Sequence, residues 1–419
     1  ELRDARLENA DLNLHLQGRL ENIYTRLGPA SFRIEASARD LDPGALGLPR
    51  QFSGRLTAHL KAAASGDLSA GNAADWKAWR ANATLHIDRS RIYGVDVRRG
   101  DVTASWDGRF IEMESLQLDA DLLQTTLQGR FSGAGQDFRV AGRAVIDDLG
   151  RVYAKLVEHG LPLPAEPVPA GKLLLEGSVQ RADGKSDITA DLQADGLTLE
   201  QIRLESAALH ATLHAGVDRK WIQIDRVRIV GMRNPLIRNL PVVVNTAPIQ
   251  IGWHRNRIEI TSLKLATGKT RIAAAGRMSL DGSQDLTIEL TDLDVNRLDF
   301  VRNADADISG VLSMRTRLRG SLGAPHITAD IRIQGLGRKG TVSFTDIDAQ
   351  LNYRGQRAEW TVAGTREQRH IFDSNGSTGL VLRLQPFEFT LTPGSFKGRL
   401  TAEHVDLDDW PVPDLYGFD

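Results

Sequence analysis

The chain has 419 residues, of which 52 are Lys or Arg and 54 are Asp or Glu, and it contains no cysteine. The near balance of charge excludes a strong overall field of the kind that draws proteins to nucleic acid or to an anionic membrane. The lack of cysteine excludes disulfides, thiolate catalysis and cysteine-ligated metals. No run of 18 apolar residues is present, so the printed sequence offers no candidate for a transmembrane helix.

The first predicted elements are β-strands at residues 12–20, 31–38 and 52–60, because apolar and polar residues alternate there. Alternation is already under way in the first strand, so we expect the chain to be a segment of a longer protein. Trp76 and Trp79 lie three residues apart, which predicts one helical turn before the strands resume.

A hairpin and an internal repeat follow. Asp107-Gly108 is a strong signal for a tight turn between two strands. The segment 106–131 shares with the segment 253–278 a leading Trp, an Ile-Glu pair, a Ser-Leu pair, a second Leu and a Gly-Arg pair at identical spacing. The two segments are therefore predicted to be copies of one structural unit.

Helices are predicted to be few and short. The best candidate covers residues 148–159, and a proline-rich linker follows it. A shorter helix is expected at Asp42-Pro43, a capping residue followed by a residue suited to the first helical position. We therefore divide the chain into a first block of β repeats at 1–146, the helix and linker at 147–170, and a second block at 171–419 that continues the first.

The clearest strand pair is predicted within residues 308–335. Leu312 and Leu318 fall on one side of an extended chain, while Arg315 and Arg319 fall on the other. A turn rich in glycine then reverses the chain, and the same alternation resumes. This segment is therefore predicted to be a hairpin with one apolar and one basic or polar face.

The same alternation recurs along most of the chain, at a spacing that gives on the order of 30 strands. Short connections favour antiparallel hairpins, and the few helices cannot cover every apolar face. We therefore predict an all-β fold. It is an elongated, twisted antiparallel β-sheet rolled into a U-shaped groove, a β-taco, with an apolar interior and a few short helices.

The apolar interior supplies the candidate binding residues. A long apolar trough with a charged exterior suits acyl chains, since each buried CH₂ group contributes roughly 0.8 kcal/mol. The segment around Glu114 needs a β-bulge if all its apolar residues are to share one face. The predicted groove-lining residues are Leu312, Met314, Leu318, Ile327, Ile331, Ile333, Ile111, Met113, Leu116, Leu118, Ile258, Ile260, Leu263 and Leu265.

Patterns for catalysis or metal binding are weak. His210 and His214 have the spacing of a zinc-enzyme helix, but they lie in a strand pattern and lack the adjacent Glu. Residues 335–340 match a dinucleotide-binding fingerprint, but a strand-like segment follows where a helix is needed, so we interpret them as a hairpin turn. The sequence therefore predicts no catalytic residue, no metal, no cofactor and no nucleic-acid partner.

The repeated Ile-Glu, Ser-Leu and Gly-Arg units, the Asp-Leu pairs before Gly-x-Leu strands and residues 317–335 resemble the TamB branch of the AsmA-like family of bacterial envelope proteins. The resemblance implies a U-shaped β-groove in the periplasm of a Gram-negative bacterium, anchored in the inner membrane by an N-terminal helix that this sequence lacks. It also implies bridge-type transport of phospholipid between the inner and outer membranes. For TamB itself it implies partnership with the outer-membrane barrel TamA.

Other functions are compatible with the same pattern. A periplasmic chaperone or assembly factor would offer its sheet edges or its groove to outer-membrane β-barrel clients. A passive surface solenoid or adhesin would have a filled, dry interior. An enzyme is disfavoured by the lack of a catalytic motif.

Overall fold

The computed structural model of the chain describes residues 5–9, 12–21, 30–41, 54–66, 76–92, 95–133, 137–158, 168–200, 202–216, 220–233, 240–254, 256–279, 282–298, 308–338, 345–384 and 387–403. Contacts divide the chain into two compact units. The first comprises Glu1–Glu200 with Ser206–Val217, and the second comprises Gln201–Glu205 with Asp218–Asp419.

The first unit is an antiparallel β-sheet whose strands pair with near neighbours in the chain. Its strands are β1 (Ala5–Asn9), β2 (Leu12–Glu21), β3 (Ala30–Leu41), β4 (Gly54–Gly66), β5 (Trp79–Ile87), β6 (Ser90–Ile92), β7 (Val95–Trp106), β8 (Phe110–Ala120), β9 (Leu123–Ser132), β10 (Phe138–Ile146), β11 (Ala170–Ala182), β12 (Lys185–Leu199) and, after β13 (Ile202–Arg203) of the second unit, β14 (Ser206–Ala215).

The second unit is built in the same way, with antiparallel pairing from strand to strand. Besides β13, its strands are β15 (Lys220–Met232), β16 (Leu240–Asn245), β17 (Ile249–His254), β18 (Arg257–Thr267), β19 (Thr270–Ser279), β20 (Ser283–Asp294), β21 (Ile308–Ser321), β22 (Pro325–Arg338), β23 (Thr345–Arg354), β24 (Arg357–Arg366), β25 (Arg369–Leu384), β26 (Phe387–Leu391) and β27 (Lys397–Ala402).

These elements confirm the predicted all-β antiparallel fold. The U-shaped roll of the sheet stays a prediction. The predicted helical turn is also confirmed, as a 3-10 helix at Trp76–Ala78, and a second 3-10 helix lies at Val295–Arg297. The helix expected at Asp42-Pro43 lies outside the described residues.

The helix predicted at 148–159 is confirmed as α1 (Leu149–Glu158). Asp148 precedes it, and the Oδ1 atom of Asp148 accepts a hydrogen bond of 3.0 Å from the backbone N–H of Arg151. This capping satisfies one of the backbone donors that the first turn of a helix leaves open. In the part of the chain that the structure describes, no helix is long and apolar enough to cross a membrane.

The sheet of the first unit continues past α1, because β10 and β11 pair directly from Phe138 and Arg181 to Ile146 and Leu173. The division between the two units comes later in the chain, close to β13 and β14. Helix α1 is therefore an insertion at one end of a hairpin.

The internal repeat corresponds to a repeated set of cross-strand pairs. In the first copy Trp106 pairs with Ile111, and in the second copy Trp253 pairs with Ile258. The Gly-Arg pair also plays one role in both copies, because its glycine lies opposite the apolar residue that follows the Ile-Glu pair. The repeated residues therefore occupy equivalent positions in the pairing of neighbouring strands.

One interpretation of the sequence was wrong in part. The first four residues of the segment 335–340 belong to β22, and Leu336 pairs with Thr345 of β23. Gly335 has a φ of +61°, and its N–H donates a hydrogen bond of 2.8 Å to Asp346 Oδ1. The glycine therefore lies at an irregularity in the strand pairing and not in a turn. Glycine suits this position because it tolerates positive φ.

Candidate functional site

The candidate site in the first unit is the apolar face of its sheet. Because the strands pair in register, apolar and small residues from successive strands lie side by side in rows that cross the sheet. One row contains Ile34, Ala62, Ala83, Ala104, Met113, Gly129, Val140, Val179, Ile188 and Leu213. The next row contains Ala36, Leu60, Leu85, Val102, Leu116, Leu127, Gly142, Gly177, Ala190 and Ala211.

The second unit has an apolar face of the same construction. One row contains Ile222, Ile251, Ile260, Gly276, Leu286, Leu318, Ile327, Tyr353 and Ala358. Another contains Leu265, Ile272, Leu290, Met314, Ile331, Ala349 and Val362. A shorter row contains Leu293, Leu312, Ile333 and Ile347.

The predicted groove-lining residues all lie on these two faces. Ile111, Met113, Leu116 and Leu118 are on the face of the first unit, and the other ten are on the face of the second. The structure thus brings each set together within its own unit. Their role in binding stays a prediction.

Beta-bulges keep the apolar residues on one face. In β8, Glu114 and Ser115 together lie opposite the single residue Gln128 of β9. In β18, Thr261 and Ser262 lie opposite Ala275 of β19 in the same way. The extra residue shifts the alternation once, so apolar residues before and after the bulge point to the same side.

Much of the apolar face in the first unit remains in contact with solvent. On the face of the first unit, Ile34 is 37% exposed, Ile111 is 44% exposed and Leu175 is 39% exposed. The side chains that are fully withdrawn in the middle of this face are small ones such as Ala58 and Ala211. A covering layer would bury the large side chains first, so these rows are not packed against a second layer of the described residues.

A small core covers part of the face in the second unit. Tyr353, Ala358 and Leu380 are buried together, with Leu382 beside them. The hydroxyl group of Tyr353 accepts a hydrogen bond of 3.0 Å from the N–H of Leu382. The other residues of these rows include half-buried ones such as Met314 and Ile331 and buried ones such as Leu286 and Leu293.

The opposite face of each sheet is charged, and its charges pair across the strands. Arg332 Nε lies 2.7 Å from Asp348 Oδ1, and Arg315 Nε lies 3.2 Å from Glu289 Oε1. In the first unit Arg143 Nε lies 3.2 Å from Glu176 Oε1. Such exposed pairs contribute little stability each, but they keep this face wet and unsuited to hydrocarbon.

A cavity in the described part of the second unit lies along the charged side chains of this face. It has a volume of about 890 Å³, and its walls include Arg315, Arg332, Asp348, Gln350 and Asn375. The walls also include Leu290, Met314, Ile331 and Val362, which alternate with the charged residues along their strands. The charged groups of this cavity would lose hydration if hydrocarbon approached them. An acyl chain lying on the apolar face would desolvate no charge.

The sequence missed a difference between the two edges of the face in the first unit. One edge, here called the aromatic edge, is formed by Phe32, Trp79, Trp106, Phe131 and Phe138. The other, here called the aliphatic edge, is formed by Val97, Ala120, Leu123, Ile146 and Leu173. The sequence did contain a signal for the aromatic edge, because aromatic residues lie within two or three residues of every second turn.

The histidine pattern has a structural explanation. His210 and His214 lie on β14, and each faces a carboxylate of β12, with Nδ1 2.7 Å from Asp191 Oδ1 and 2.6 Å from Asp187 Oδ1 respectively. Among the His, Asp and Glu residues that the structure describes, no group of three comes together as metal ligands. The two histidines thus extend the cross-strand pairing of the charged face.

Known proteins give no match to this chain, whether it is compared with family models, with curated proteins or with solved structures. The resemblance to the AsmA-like family therefore remains an expectation from the sequence.

Proposed function

We propose that the apolar faces bind the acyl chains of phospholipids and conduct them through water between the inner and outer membranes of a bacterial envelope, without catalysis. The observation that carries this proposal is the set of continuous, partly exposed apolar rows in each unit. An exposed apolar face of this extent is rare on a soluble protein unless it serves binding.

The rows are long enough to hold several lipids one after another. A row across ten strands of the first unit is about 43 Å long, because neighbouring strands lie about 4.8 Å apart. Each CH₂ group that leaves water contributes roughly 0.8 kcal/mol, so two acyl chains are held strongly while remaining free to slide. No particular position on such a row is preferred, which is what a conduit requires.

The charged face supports the same proposal. Its acids and bases are interspersed and paired, so it keeps the sheet soluble without attracting anionic lipid to the wrong side. Contact with the two membranes, and with an outer-membrane barrel resembling TamA, would belong to other parts of the protein.

Lipid transfer between vesicles tests the proposal. Purified protein is mixed with donor vesicles that contain a fluorescent phospholipid and with unlabelled acceptor vesicles, and the rate of transfer is measured. Leu318→Glu and Ile331→Arg place a charge in the apolar rows, and we expect both to abolish transfer. Lipid that copurifies with the protein, measured by mass spectrometry, should fall in parallel.

Matched changes on the charged face are the controls. Thr328→Glu and Gln334→Arg introduce the same charges on β22, at exposed positions of the opposite face. We expect both controls to transfer lipid at the normal rate. Transfer that survives Leu318→Glu and Ile331→Arg would overturn the proposal, and crosslinking of these positions to unfolded barrel strands instead of lipid would support the chaperone alternative.

A further inference from the structure

The two edges of the apolar face in the first unit differ in chemistry as well as in position. At the aromatic edge Trp106, Ile111, Phe131 and Phe138 are consecutive cross-strand partners. The rings of Phe131 and Phe138 stack with their centres 6.2 Å apart. All four side chains are partly exposed, so this edge presents a line of large apolar groups to water.

Part of the aliphatic edge is withdrawn from water, while Leu123, Ile146 and Leu173 are half-buried. Val97 is 4% exposed and Ala120 is 2% exposed, although both lie near the ends of their strands. Helix α1 follows β10 at this edge and packs against β11. An ion pair of 3.3 Å between Arg151 Nη2 and Asp121 Oδ2 links the helix to the turn between β8 and β9. This edge is therefore covered in part, while the described side chains from Trp106 to Phe138 at the aromatic edge remain partly exposed.

The distance between the edges exceeds the hydrocarbon thickness of one leaflet of a membrane. From Ile111 to Ala120 the strand β8 extends over about 27 Å, given a rise of about 3.3 Å per residue and one bulge. The hydrocarbon part of one leaflet is about 15 Å thick. An acyl chain can therefore lie along a strand without reaching past the opposite edge.

Tryptophan side chains favour the boundary between hydrocarbon and water, because the indole ring is apolar but carries one N–H donor. Trp79 and Trp106 at the aromatic edge have this character, whereas Val97 and Ile146 at the opposite edge do not. Beyond Phe138 the same row continues to Arg181, which is exposed and whose guanidinium group suits a phosphate.

We infer that phospholipids lie across the face of the first unit with their headgroups at the aromatic edge and their acyl chains pointing towards the aliphatic edge. Successive lipids then lie side by side along the rows, as they do within one leaflet. This inference rests on the proposed function and adds the orientation of the lipid to it. It assigns the aromatic edge as the headgroup site, with Arg181 placed to contact phosphate.

Site-specific quenching tests the orientation. The chain has no cysteine, so single cysteines can carry a fluorescent label without background. Labels are placed at the aromatic edge in Ile111→Cys and at the aliphatic edge in Leu173→Cys. Each is loaded with phosphatidylcholine that carries a nitroxide on the headgroup, near the start of one acyl chain or near its end. Phe131→Cys and Ile146→Cys form a second pair in case one variant fails to fold.

We expect the headgroup nitroxide to quench the label at Ile111→Cys most, and the chain-end nitroxide to quench the label at Leu173→Cys most. The reverse order, or equal quenching of both labels by every lipid, would overturn the orientation while leaving lipid binding intact. No quenching at any position by any of the three lipids would overturn the proposed function itself, and the orientation with it.

Discussion

Nδ1 of His86 lies 2.6 Å from Oδ1 of Asp101, at directly paired positions of β5 and β7. The other ring nitrogen lies 3.1 Å from Oδ1 of Asp88, and Oδ2 of Asp88 lies 3.3 Å from Nε2 of His59. The hydrogen bond to Asp101, with attraction to both carboxylates, raises the pKa of His86 above its ordinary value, although partial burial and Arg99 oppose this. The hydrogen bond from His86, followed by that from Arg99, lowers the pKa of Asp101.

This pair predicts a pH-dependent contribution to stability, measured by replacing His86 with Gln. Because the folded pKa of His86 is raised, its contribution is fully present below the ordinary histidine pKa of about 6.5 and is lost as pH rises through the raised value. The contribution of Asp101 is present above the ordinary Asp pKa of about 3.9 and is lost as pH falls through its lowered value. We therefore expect the largest difference in melting temperature between wild type and His86→Gln at mildly acidic pH.

The control for this prediction is His326→Gln. The Nε2 atom of His326 lies 3.1 Å from the amide oxygen of Asn352, which carries no charge. Thermal unfolding of both variants is followed by circular dichroism over a range of pH. A difference for His86→Gln that stays constant from mildly acidic to alkaline pH would contradict the prediction.

Deletion of a bulge residue should be tolerated. If Thr261 is removed, only one residue separates Ile260 from Leu263, so simple alternation leaves both side chains on the same face. Removal of Lys264 should lower the free energy of unfolding, because Leu263 and Leu265 become neighbours and point to opposite faces. The expected cost is about 1 kcal/mol for each half-buried side chain that moves to the charged face. Urea unfolding of the two deletion variants measures this difference, and equal stability of both would refute the role assigned to the bulge.

Gly276 should not accept even one additional carbon atom. Its φ is +139°, and an added Cβ would overlap the carbonyl oxygen of Asp285 and lie 2.7 Å from Cα of Leu286. We expect Gly276→Ala to destabilise the second unit by about 1–3 kcal/mol through backbone strain and displacement of β20. Gly323→Ala is the control, since nothing lies within 4 Å of its added Cβ. Equal melting temperatures of the two variants would show that β19 and β20 are less tightly paired than the structure indicates.

The turn between β7 and β8 should depend on the side chain of Asp107. Its Oδ1 accepts hydrogen bonds of 2.7 Å from the N–H of Phe110 and 2.8 Å from the N–H of Arg109. These bonds lower the pKa of Asp107, in that order of effect, so its contribution is lost as pH falls through the lowered value. We expect Asp107→Ala to lower the melting temperature, and Asp107→Asn to lower it less, because the amide oxygen still accepts both bonds.

The pH dependence separates the effect of the negative charge on Asp107 from the effect of the hydrogen bonds that its side chain accepts. The loss caused by Asp107→Ala should shrink in strong acid, where the wild-type carboxyl group is protonated. The melting temperature of Asp107→Asn should change less with pH than that of wild type. A loss in Asp107→Ala that is equally large at acid and neutral pH would contradict the prediction.

Local pattern was enough to predict the strands, α1 and the need for a bulge near Glu114, because alternation and capping are properties of neighbouring residues. It was also enough to place Leu318 and Ile327 on one face. The contrast between the aromatic and aliphatic edges was not predictable in this way, because it depends on the register of many strands at once. Gly335 was misread for a related reason, since a glycine at a strand irregularity has the same local appearance as a glycine in a turn.

In the part of the chain that the structure describes, no strand pairs with one more than two places away in the order of synthesis. Newly made chain therefore meets its partners immediately, and closing each contact costs little entropy. Growth of the ladder can start before the last hairpins exist, in the direction in which the ribosome delivers them. Because strands pair only with near neighbours in the chain, gain or loss of one hairpin in evolution changes the length of the sheet without disturbing the hairpins on either side.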